Sequence, residues 1–469
     1  MSFVQPAFLL FLPLVLVVYW GLGRRRWQNA WLLCTSAVFY GWVHPWFLGL
    51  LAFSTLLDFG VGLGMARWPA RRRALLALSL AGNLGMLAAF KYWNFFLENV
   101  GAALGALGLH PGLPVLQVLL PVGISFYTFQ TLSYTIDVAR GRIQPKRDLL
   151  DYATFVAMFP QLVAGPVERA AHLLPQLEAP RRFDAAGLRA GLTLALWGAF
   201  QKVVIADSLA PYVDRAFSVR EPSIALLAAG GVAFSLQILA DFAGYTDIAR
   251  GTARMMGFEL RRNFDAPYAA RTPAELWHRW HISFSTWIRD YLYIPLGGSR
   301  GPAWRVALVT LLTMLLAGLW HGASWNFVAW GAFHGLLLVT FRPFRPTAER
   351  ALVRHPALGL VAIPVMYCLT CAGWVLFRQQ DLGALAHALT HPAGSSPASQ
   401  AVIAVALLGL SASAALPLLS AHALRRRLLP RLLASGWEPF WSPLLWAALA
   451  ACLFLFAREA GRDFIYFRF

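Results

Sequence analysis

Three histidines are the side chains best suited to chemistry in an otherwise apolar chain. His278 and His281 lie in ELWHRWHISFSTWIRDYLYIPLGG (275–298), and His321 lies in AGLWHGASWNFVAWG (317–331). An imidazole with a pKa near ~7 can take the proton of an attacking hydroxyl as a general base and return it to a leaving group. Ionisable side chains at membrane depth are costly, so these histidines are candidate functional residues.

The alternative for each histidine is a structural role. A buried imidazole often only hydrogen-bonds to a backbone carbonyl. The small residues Gly322, Ala323 and Ser324 are expected to leave space beside His321, which favours a catalytic base there. The case for His281 is weaker, because WHRWH on a surface helix could also belong to an aromatic belt.

A zinc site is a second interpretation of His278 and His281, which are three residues apart. No third ligand with metal spacing follows, and the nearest carboxylate, Asp290, is next to Arg289. We therefore predict no metal site and no tightly bound cofactor. Five charged residues within these segments are expected to form structural ion pairs. They are Glu168, Arg169, Asp241, Asp247 and Asp290.

Composition predicts an all-α polytopic membrane protein. The 469 residues are 58% hydrophobic and only 13% charged. Twelve apolar runs are long enough, or nearly so, to cross ~30 Å of hydrocarbon; they are 3–22, 28–45, 47–66, 74–96, 114–137, 186–206, 223–243, 304–320, 325–341, 357–377, 400–420 and 441–457. We expect about 11–12 hydrophobic helices plus re-entrant segments in one integral-membrane domain over 1–469.

The formal charge of +18 could indicate a nucleic-acid partner, but its distribution indicates membrane topology. The segments 1–23, 97–113 and 379–400 contain no Lys or Arg. Basic residues cluster between apolar runs, at 24–26, 67–73, 140–147, 181–182, 342–354 and 425–427. This asymmetry follows the positive-inside rule. We predict contact with membrane lipid headgroups and no nucleic-acid partner.

Two elements are predicted to position the histidines. Residues 273–291 have the pattern of one helix, with Thr272 as N-cap and Glu275 completing a capping box. Trp277, His281, Phe284 and Ile288 would then share one face, because residues three and four apart are neighbours on a helix. The second element is the pair of runs on either side of HGASWN. Runs of roughly 15 residues reach only ~22 Å, which would hold His321 inside the membrane thickness.

A further interruption is expected at 145–170. Pro160, Gly165 and Pro166 disfavour a continuous helix there, so a bent or re-entrant element is predicted.

Several blocks resemble the membrane-bound O-acyltransferase family, within it the bacterial branch of alginate O-acetyltransferases and teichoic acid D-alanyltransferases. They are FPQLVAGPVERA (159–170), DFAGYTDIARG (241–251), NFDAPYAARTPAELWHRWHISFSTWIRDYLYIPLGG (263–298), LAGLWHGASWNFVAWG (316–331) and FIYFRF (464–469). The resemblance implies a many-helix fold around a thinned, funnel-shaped channel. It also implies that His321 is catalytic and that His281 assists.

On this interpretation the protein is an acyltransferase of the bacterial cell inner membrane. It would move an acetyl group from acetyl-CoA, a cytoplasmic thioester donor, to a polysaccharide hydroxyl outside, directly or through an exported or periplasmic acyltransferase partner. The expected substrate-binding residues are Trp320, Asn326, Ser285, Asp290 and Arg289. The acceptor stays open among alginate-like exopolysaccharide, cellulose, peptidoglycan and lipid-linked sugar.

Two other functions are compatible with buried ionisable groups. A proton-coupled transporter or flippase could use the histidines and aspartates as a proton relay. No inverted repeat or pair of broken helices in corresponding halves is evident, which disfavours a transporter. A structural scaffold of an envelope complex would leave the buried ionisable groups without a purpose.

Overall fold

A computed structural model describes residues 1–110, 112, 114–116, 119–163, 165–423, 438–456 and 464. All regular elements in these ranges are helical. Contacts divide the chain into two compact units, one formed by Met1–Leu192 and Ala249–Arg261, the other by Thr193–Ile248 and Arg262–Phe469. The single-domain organisation therefore stays a prediction. The basic cluster 425–427 and residues 465–469 of the closing motif lie outside the described residues.

Seven helical stretches are long and apolar enough to cross a membrane, so the described part of the chain is that of a polytopic membrane protein. They are Phe47–Arg67, Pro69–Ala106, Ala185–Phe217, Ile224–Met255, Ala303–His321, Pro356–Arg378 and Pro397–Ser420. Trp325–Phe341 and Arg345–Arg354 are apolar enough only as a pair and are bent by 73°, the geometry of a broken span or a re-entrant loop. The remaining apolar runs give helices of 16 to 19 residues, among them Pro6–Gly21 and Glu438–Phe456.

The helices of the first unit are numbered in chain order. They are α1 (Pro6–Gly21), α2 (Arg25–Gly41), α3 (Phe47–Arg67), α4 (Arg72–Leu87), α5 (Trp93–Ala106), α6 (Ile124–Ala139), α7 (Leu149–Ala157), α8 (Phe159–Leu162) and α9 (Ala170–Glu178), followed by the start of α10 (Ala185–Phe200). Helix α7 ends at Ala157 and α8 begins at Phe159, with Met158 between them, so no continuous helix covers 145–170, as predicted; the bent or re-entrant geometry stays a prediction.

Buried polar side chains join three helices of this unit. Asp58 on α3 accepts hydrogen bonds from Ser79 Oγ (2.6 Å) and Asn83 Nδ2 (2.9 Å) on α4. Ser54 Oγ donates to Asn83 Oδ1 at 2.6 Å, and Ser79 Oγ lies 3.0 Å from Thr135 Oγ1 on α6. All five side chains are fully buried. Such a network stabilises helix packing because each polar group is satisfied by another inside the unit.

The second unit contains the histidine segments. Its helices are the remainder of α10, α11 (Asp207–Phe217), α12 (Ile224–Met255), α13 (Pro273–Arg279), α14 (Ile282–Ile288), α15 (Ala303–His321), α16 (Trp325–Phe341), α17 (Arg345–Arg354), α18 (Gly359–Arg378), α19 (Leu382–Thr390), α20 (Pro397–Ala423) and α21 (Glu438–Phe456). Two π-helical turns interrupt the α-helical pattern, at Gln201–Ala206 and Arg289–Tyr293.

Glycines let α15 and α16 approach closely. A Cβ at Gly318 would lie 2.2 Å from the backbone oxygen of Phe327, and a Cβ at Gly331 would lie 2.4 Å from that of Met314. Any larger residue would clash with backbone, so this hairpin depends on both glycines. Helix α15 has 19 residues, or ~28 Å at ~1.5 Å each, so it is longer than the run of roughly 15 residues predicted. The depth of His321 in the membrane stays a prediction.

The continuous helix predicted over 273–291 is wrong. Helix α13 ends at Arg279, α14 begins at Ile282, and His281 between them adopts φ 42° and ψ 53°. The N-terminal signals are correct, because Thr272 Oγ1 accepts a hydrogen bond from the Glu275 backbone N–H at 3.1 Å. The helix breaks because Ile282 N–H donates to the Asn263 backbone oxygen at 2.9 Å instead of continuing the helical pattern.

Candidate functional site

The second unit brings His281 and His321 to the same aromatic cluster. His321 is the last residue of α15 and is 4% exposed, and His281 is 1% exposed. The ring centroid of Phe284 lies 5.0 Å from that of His281 and 5.5 Å from that of His321. Trp320 also contacts both, at 6.0 and 5.1 Å. Two aromatic rings therefore connect the two histidines, although these are 40 residues apart in the sequence.

His281 is held in a strained backbone conformation. Its positive φ is shared among non-glycine residues of the described chain only by Ala266. Asn263 fixes the bend around it, because its side-chain oxygen accepts from Ser283 Oγ at 2.6 Å. A left-handed residue other than glycine costs about 1–3 kcal/mol and persists only where the surrounding structure enforces it. Such strain is concentrated at functional sites, and here it turns the His281 ring against Phe242, with 4.6 Å between centroids.

Burial lowers the pKa of His281 from 6.5 to about 3. Burial disfavours the charged imidazolium, so the neutral ring is favoured at physiological pH. A neutral imidazole carries one N–H donor and one acceptor nitrogen. His281 can therefore donate or accept a hydrogen bond at neutral pH, but it does not supply a full positive charge.

Aromatic side chains surround the His321 ring. Trp330 on α16 and Phe377 on α18 lie 5.1 and 5.4 Å from its ring. The expectation that Gly322 leaves room beside the imidazole is wrong, because a Cβ there would lie 2.1 Å from Phe327 Cε2. The glycine is needed so that the Phe327 ring can pack against the chain directly after His321.

The residues predicted to bind substrate divide into two groups. Trp320 contacts both histidines, and Asn326 is buried with its side-chain N–H₂ donating to the Phe377 backbone oxygen at 2.9 Å. Ser285 donates to the Trp280 backbone oxygen at 3.0 Å and faces a cavity. Arg289 lines that same cavity.

The carboxylate of Asp290 forms an ion pair with Arg289, at 2.7 Å between Oδ1 and Nε. The expected structural pairing of Asp290 is therefore observed. Asp241 likewise pairs with a lysine, Lys202, at 2.5 Å. Asp247 accepts from the Gln201 amide at 3.2 Å. Glu168, in the first unit, is hydrogen-bonded to His172 Nδ1 at 2.7 Å.

The cavity beside the histidine cluster has a volume of about 450 Å³. Helices α13 to α16 form its wall, and Arg342 and Arg345 lie at the end of α16 and the start of α17. Phe284 and Ala317 also line it, and Ala317 is one helical turn before His321. His278 lines it too and is exposed, so it is separated from the buried position of His281.

Sequence reasoning missed a third buried histidine. His334 on α16 is 3% exposed and lies 5.2 Å from Trp277 and 5.0 Å from Trp330. Since Trp330 also contacts His321, His334 extends the same aromatic cluster. The signal was available, because His334 stands alone within an apolar run and an ionisable residue there is a candidate by default.

A buried lysine was missed in the same way. Lys202 is 2% exposed and its Nζ lies 2.8 Å from Asp207 Oδ1 as well as 2.5 Å from Asp241 Oδ1. Asp241 precedes Phe242, whose ring packs on His281. Lys202 lies in the π-helical turn Gln201–Ala206, an irregularity often found at functional sites.

The described residues contain no group of three His, Cys, Asp or Glu side chains arranged to hold a metal ion. The absence of a metal site in the whole protein stays a prediction.

Comparison with known proteins gives consistent matches. The model of the family described as MBOAT, membrane-bound O-acyltransferase, matches residues 142–377, which include both candidate histidines. The "Probable alginate O-acetylase AlgI" of Azotobacter vinelandii is 42% identical over 386 residues, covering 81% of this chain and 76% of the relative. The peptidoglycan O-acetyltransferase of Helicobacter pylori is 32% identical, covering 75% and 71%. The teichoic acid D-alanyltransferase of Streptococcus thermophilus is 29% identical, covering 53% and 63%.

Proposed function

This chain belongs to the membrane-bound O-acyltransferase family, and from that premise we propose its reaction. It is an acyltransferase, and it transfers an acetyl group from a cytoplasmic thioester to a polysaccharide hydroxyl on the other side of the membrane. The donor is acetyl-CoA and the membrane is the bacterial inner membrane. The relatives' names supply the substrate class, since one is an alginate O-acetylase and another a peptidoglycan O-acetyltransferase.

The observation that carries the mechanism is the cluster in which Phe284 and Trp320 contact both His281 and His321. His321 acts as the general base. It removes the proton of the acceptor hydroxyl, the oxygen forms a bond to the thioester carbonyl carbon, and the carbon–sulfur bond breaks. The proton then passes from the imidazolium to the leaving thiolate, giving an ester and a free thiol.

His281 stabilises the negative charge that develops on the carbonyl oxygen. Its low pKa supports a neutral N–H donor in this role, and a fixed donor in a dry site needs no full charge to be effective. The strained backbone supports the same role, because it holds the ring in one orientation before substrate arrives.

The acceptor is an alginate-like exopolysaccharide, by the relative with 42% identity. An exported or periplasmic transferase receives the acetyl group where the polymer does not itself reach the membrane. Such a partner would carry its own hydroxyl to the same base, so the chemistry at His321 is unchanged.

Reconstitution tests this function. The full chain in proteoliposomes is supplied with radiolabelled acetyl-CoA and alginate oligosaccharides, with or without a periplasmic extract from a strain that lacks this chain. We expect alkali-labile label on the carbohydrate only when both the chain and the thioester are present. Movement of oligosaccharide across the bilayer without any thioester, and no labelled ester in either arm, would contradict the proposal and indicate a transporter.

A further inference from the structure

The buried charge of Lys202 has no part in the reaction proposed above. Its Nζ lies 2.8 Å from Asp207 Oδ1 and 2.5 Å from Asp241 Oδ1, and these three side chains form a charged triad that is 2 to 8% exposed. The triad lies within Ala185–Phe217 and Ile224–Met255, two helical stretches long and apolar enough to cross a membrane. Charged side chains in such helices are costly and are functional candidates by default.

Stability alone does not explain the charged triad. Removing an ion from water costs several kcal/mol, and apolar residues of similar volume often stabilise a core as well as a buried ion pair does. What apolar contacts lack is direction. The charged hydrogen bond from Lys202 Nζ to Asp207 Oδ1 and the ion pair with Asp241 fix the positions of the atoms that form them. The triad is therefore better explained by a group whose position it sets.

The charged triad fixes α12 against the π-helical turn that contains Lys202. Asp241 lies on α12. A second connection is made by Gln201 in the same turn, whose Nε2 donates to Asp247 Oδ2 on α12 at 3.2 Å. Gly244 lies between the two carboxylates, and a Cβ there would lie 2.9 Å from the Lys202 backbone nitrogen. Two polar connections and a close backbone contact therefore set the position of α12 along the turn.

This position of α12 places Phe242 against His281. Phe242 follows Asp241 directly and is fully buried, and its ring centroid lies 4.6 Å from that of His281 at an interplanar angle of 85°. Phe284 lies 5.0 Å from the same imidazole at 27°. The energy of an aromatic pair depends on the orientation of both rings. One ring at right angles and one nearly parallel therefore leave the imidazole little freedom to rotate.

The geometry points to Lys202 as a positioning residue for His281, acting through Asp241 and Phe242. This inference rests on the proposed function, in which the His281 N–H stabilises the negative charge on the carbonyl oxygen. Such a donor is effective when it is aimed at the oxygen before the reaction begins, so an imidazole that can rotate loses part of its effect. Because the charge develops only in the transition state, the loss affects kcat and leaves KM unchanged.

The test removes all three charges together, because removing one partner alone would leave a buried charge without its counter-ion. The neutral-triad variant is Lys202→Met/Asp207→Asn/Asp241→Asn, made in the full chain and assayed in proteoliposomes with acetyl-CoA and alginate oligosaccharides. Its kcat should fall about tenfold with KM unchanged, compared with ~10²–10³ for outright loss of an oxyanion-hole donor. In a His281→Asn background the same substitutions should lower kcat by less than about twofold, because the ring that they position is absent.

A second charged triad, in the first unit, supplies the matched control. There one buried carboxylate, Asp151, pairs with two cations, Arg25 Nη1 at 3.0 Å and Lys146 Nζ at 3.2 Å. Arg25→Met/Lys146→Met/Asp151→Asn removes the same number of charges. Within the described residues this triad has no ring contact or hydrogen bond with His281 or Phe242. The control variant should keep the wild-type kcat.

Phe242→Leu tests the same connection without changing any charge. Leucine keeps the position apolar and removes the edge-on ring contact with His281. Its kcat should fall as much as that of the neutral-triad variant, and the two changes combined should lower kcat no further than either alone. If the neutral-triad protein does not fold, Phe242→Leu decides the proposal, and a folded Phe242→Leu protein with wild-type kcat overturns it.

The ring nitrogens of His281 report its position without turnover. Solid-state nitrogen NMR of protein with isotope-labelled histidine, in lipid, identifies the His281 signals as those missing in His281→Asn. These signals should shift or broaden in the neutral-triad variant and in Phe242→Leu, and stay unchanged in the control variant. If the wild type acetylates no carbohydrate, the proposed reaction is wrong and these signals alone decide the positioning role. His281 signals unchanged in both variants, or equal losses of kcat with and without the His281 ring, overturn it.

Discussion

Two buried polar clusters, one in each unit, are built on different principles. Around Asp58 in the first unit, hydroxyl and amide groups satisfy the carboxylate at 2.6 and 2.9 Å, and each member belongs to a hydrogen-bond network. Around His281 and His321 in the second unit, the neighbours are the rings of Phe284, Trp320 and other aromatic residues. Hydrogen-bonded partners stabilise a polar group in one arrangement, whereas aromatic neighbours keep water away from it. On the proposed function, the first cluster serves the fold and the second serves the chemistry.

The largest expected effect tests the second cluster. His321→Ala should reduce acetyl transfer by ~10²–10⁴, the contribution of a positioned general base, while the protein remains folded and inserted. The measurement is the initial rate of label transfer from acetyl-CoA in proteoliposomes, normalised to protein recovered by size-exclusion chromatography.

His355→Ala is the control, because His355 is exposed and does not line the cavity. It should transfer acetyl groups at the wild-type rate. A His321→Ala protein with wild-type activity would remove His321 from the mechanism and leave the aromatic cluster as packing only.

The second prediction tests the first cluster. Asp58→Ala leaves the donors of Ser79 and Asn83 buried without their acceptor, which costs about 1–3 kcal/mol for each unsatisfied group. We expect a lower thermal unfolding midpoint in detergent, with the transfer rate per folded molecule unchanged. Asp58→Asn keeps one acceptor oxygen and should lose less.

The comparison for Asp58 is Glu259→Ala, which removes a carboxylate from an exposed pair with Arg254 in the same unit. Exposed ion pairs contribute little, so its unfolding midpoint should hardly change. An Asp58→Ala protein that is as stable as the wild type but inactive would show that the first cluster takes part in acetyl transfer. The two clusters would then not differ in function.

The sequence predicted the helical membrane fold but not every packing contact of the candidate site, and the difference has physical causes. Apolar runs, proline breaks and the Thr272 cap depend on local residues, so the helical membrane fold and the break near Pro160 could be predicted. The break at His281 could not, because no local signal marks it. It is imposed by Asn263, which is distant along the chain and takes over the hydrogen bonds of Ile282 and Ser283.

Prediction of the site was limited in the same way, because local motifs are visible in the sequence and long-range packing is not. His321 and Trp320 follow from the LWHG block, and the contact of Trp320 with both His321 and His281 agrees with a shared site. Gly322 was misinterpreted, because only packing shows that the Phe327 ring occupies the space it leaves. His334 and Lys202 were missed although each interrupts an apolar run, a signal as strong as that of His321.

A smaller effect is expected on the pH dependence of the free energy of unfolding, through protonation of His281. Its pKa is about 3 in the folded protein and 6.5 when exposed, so the unfolded state binds a proton that the folded state does not at pH values between these. Stability is complete above pH 6.5 and is lost as the pH falls below it, by up to about 1.4 kcal/mol per pH unit for one proton. His281→Asn, which tolerates the left-handed backbone, should show a shallower loss.

The measurement is the unfolding midpoint of both proteins in detergent between pH 7.5 and 5, a range set on the basis of the two pKa values. The difference between wild type and His281→Asn should change with pH, in favour of the variant as acid is added. Parallel curves would mean that His281 is solvated or protonated in the folded protein, and the second cluster would then not be the dry site that the contrast requires.

The smallest expected effect is that of removing metal. His278 and His281 are three residues apart, but His278 is exposed while His281 is buried beyond the helix break, so the two rings do not share one face as a continuous helix would have placed them. Proton transfer by an imidazole needs no Lewis acid when the acyl group is already an activated thioester. A chelator should therefore leave acetyl transfer unchanged, and elemental analysis of purified protein should find no stoichiometric zinc. Zinc that is present in wild type, lost in His281→Ala and required for activity would make the second cluster a metal centre, and His281 would then be a ligand instead of a hydrogen-bond donor.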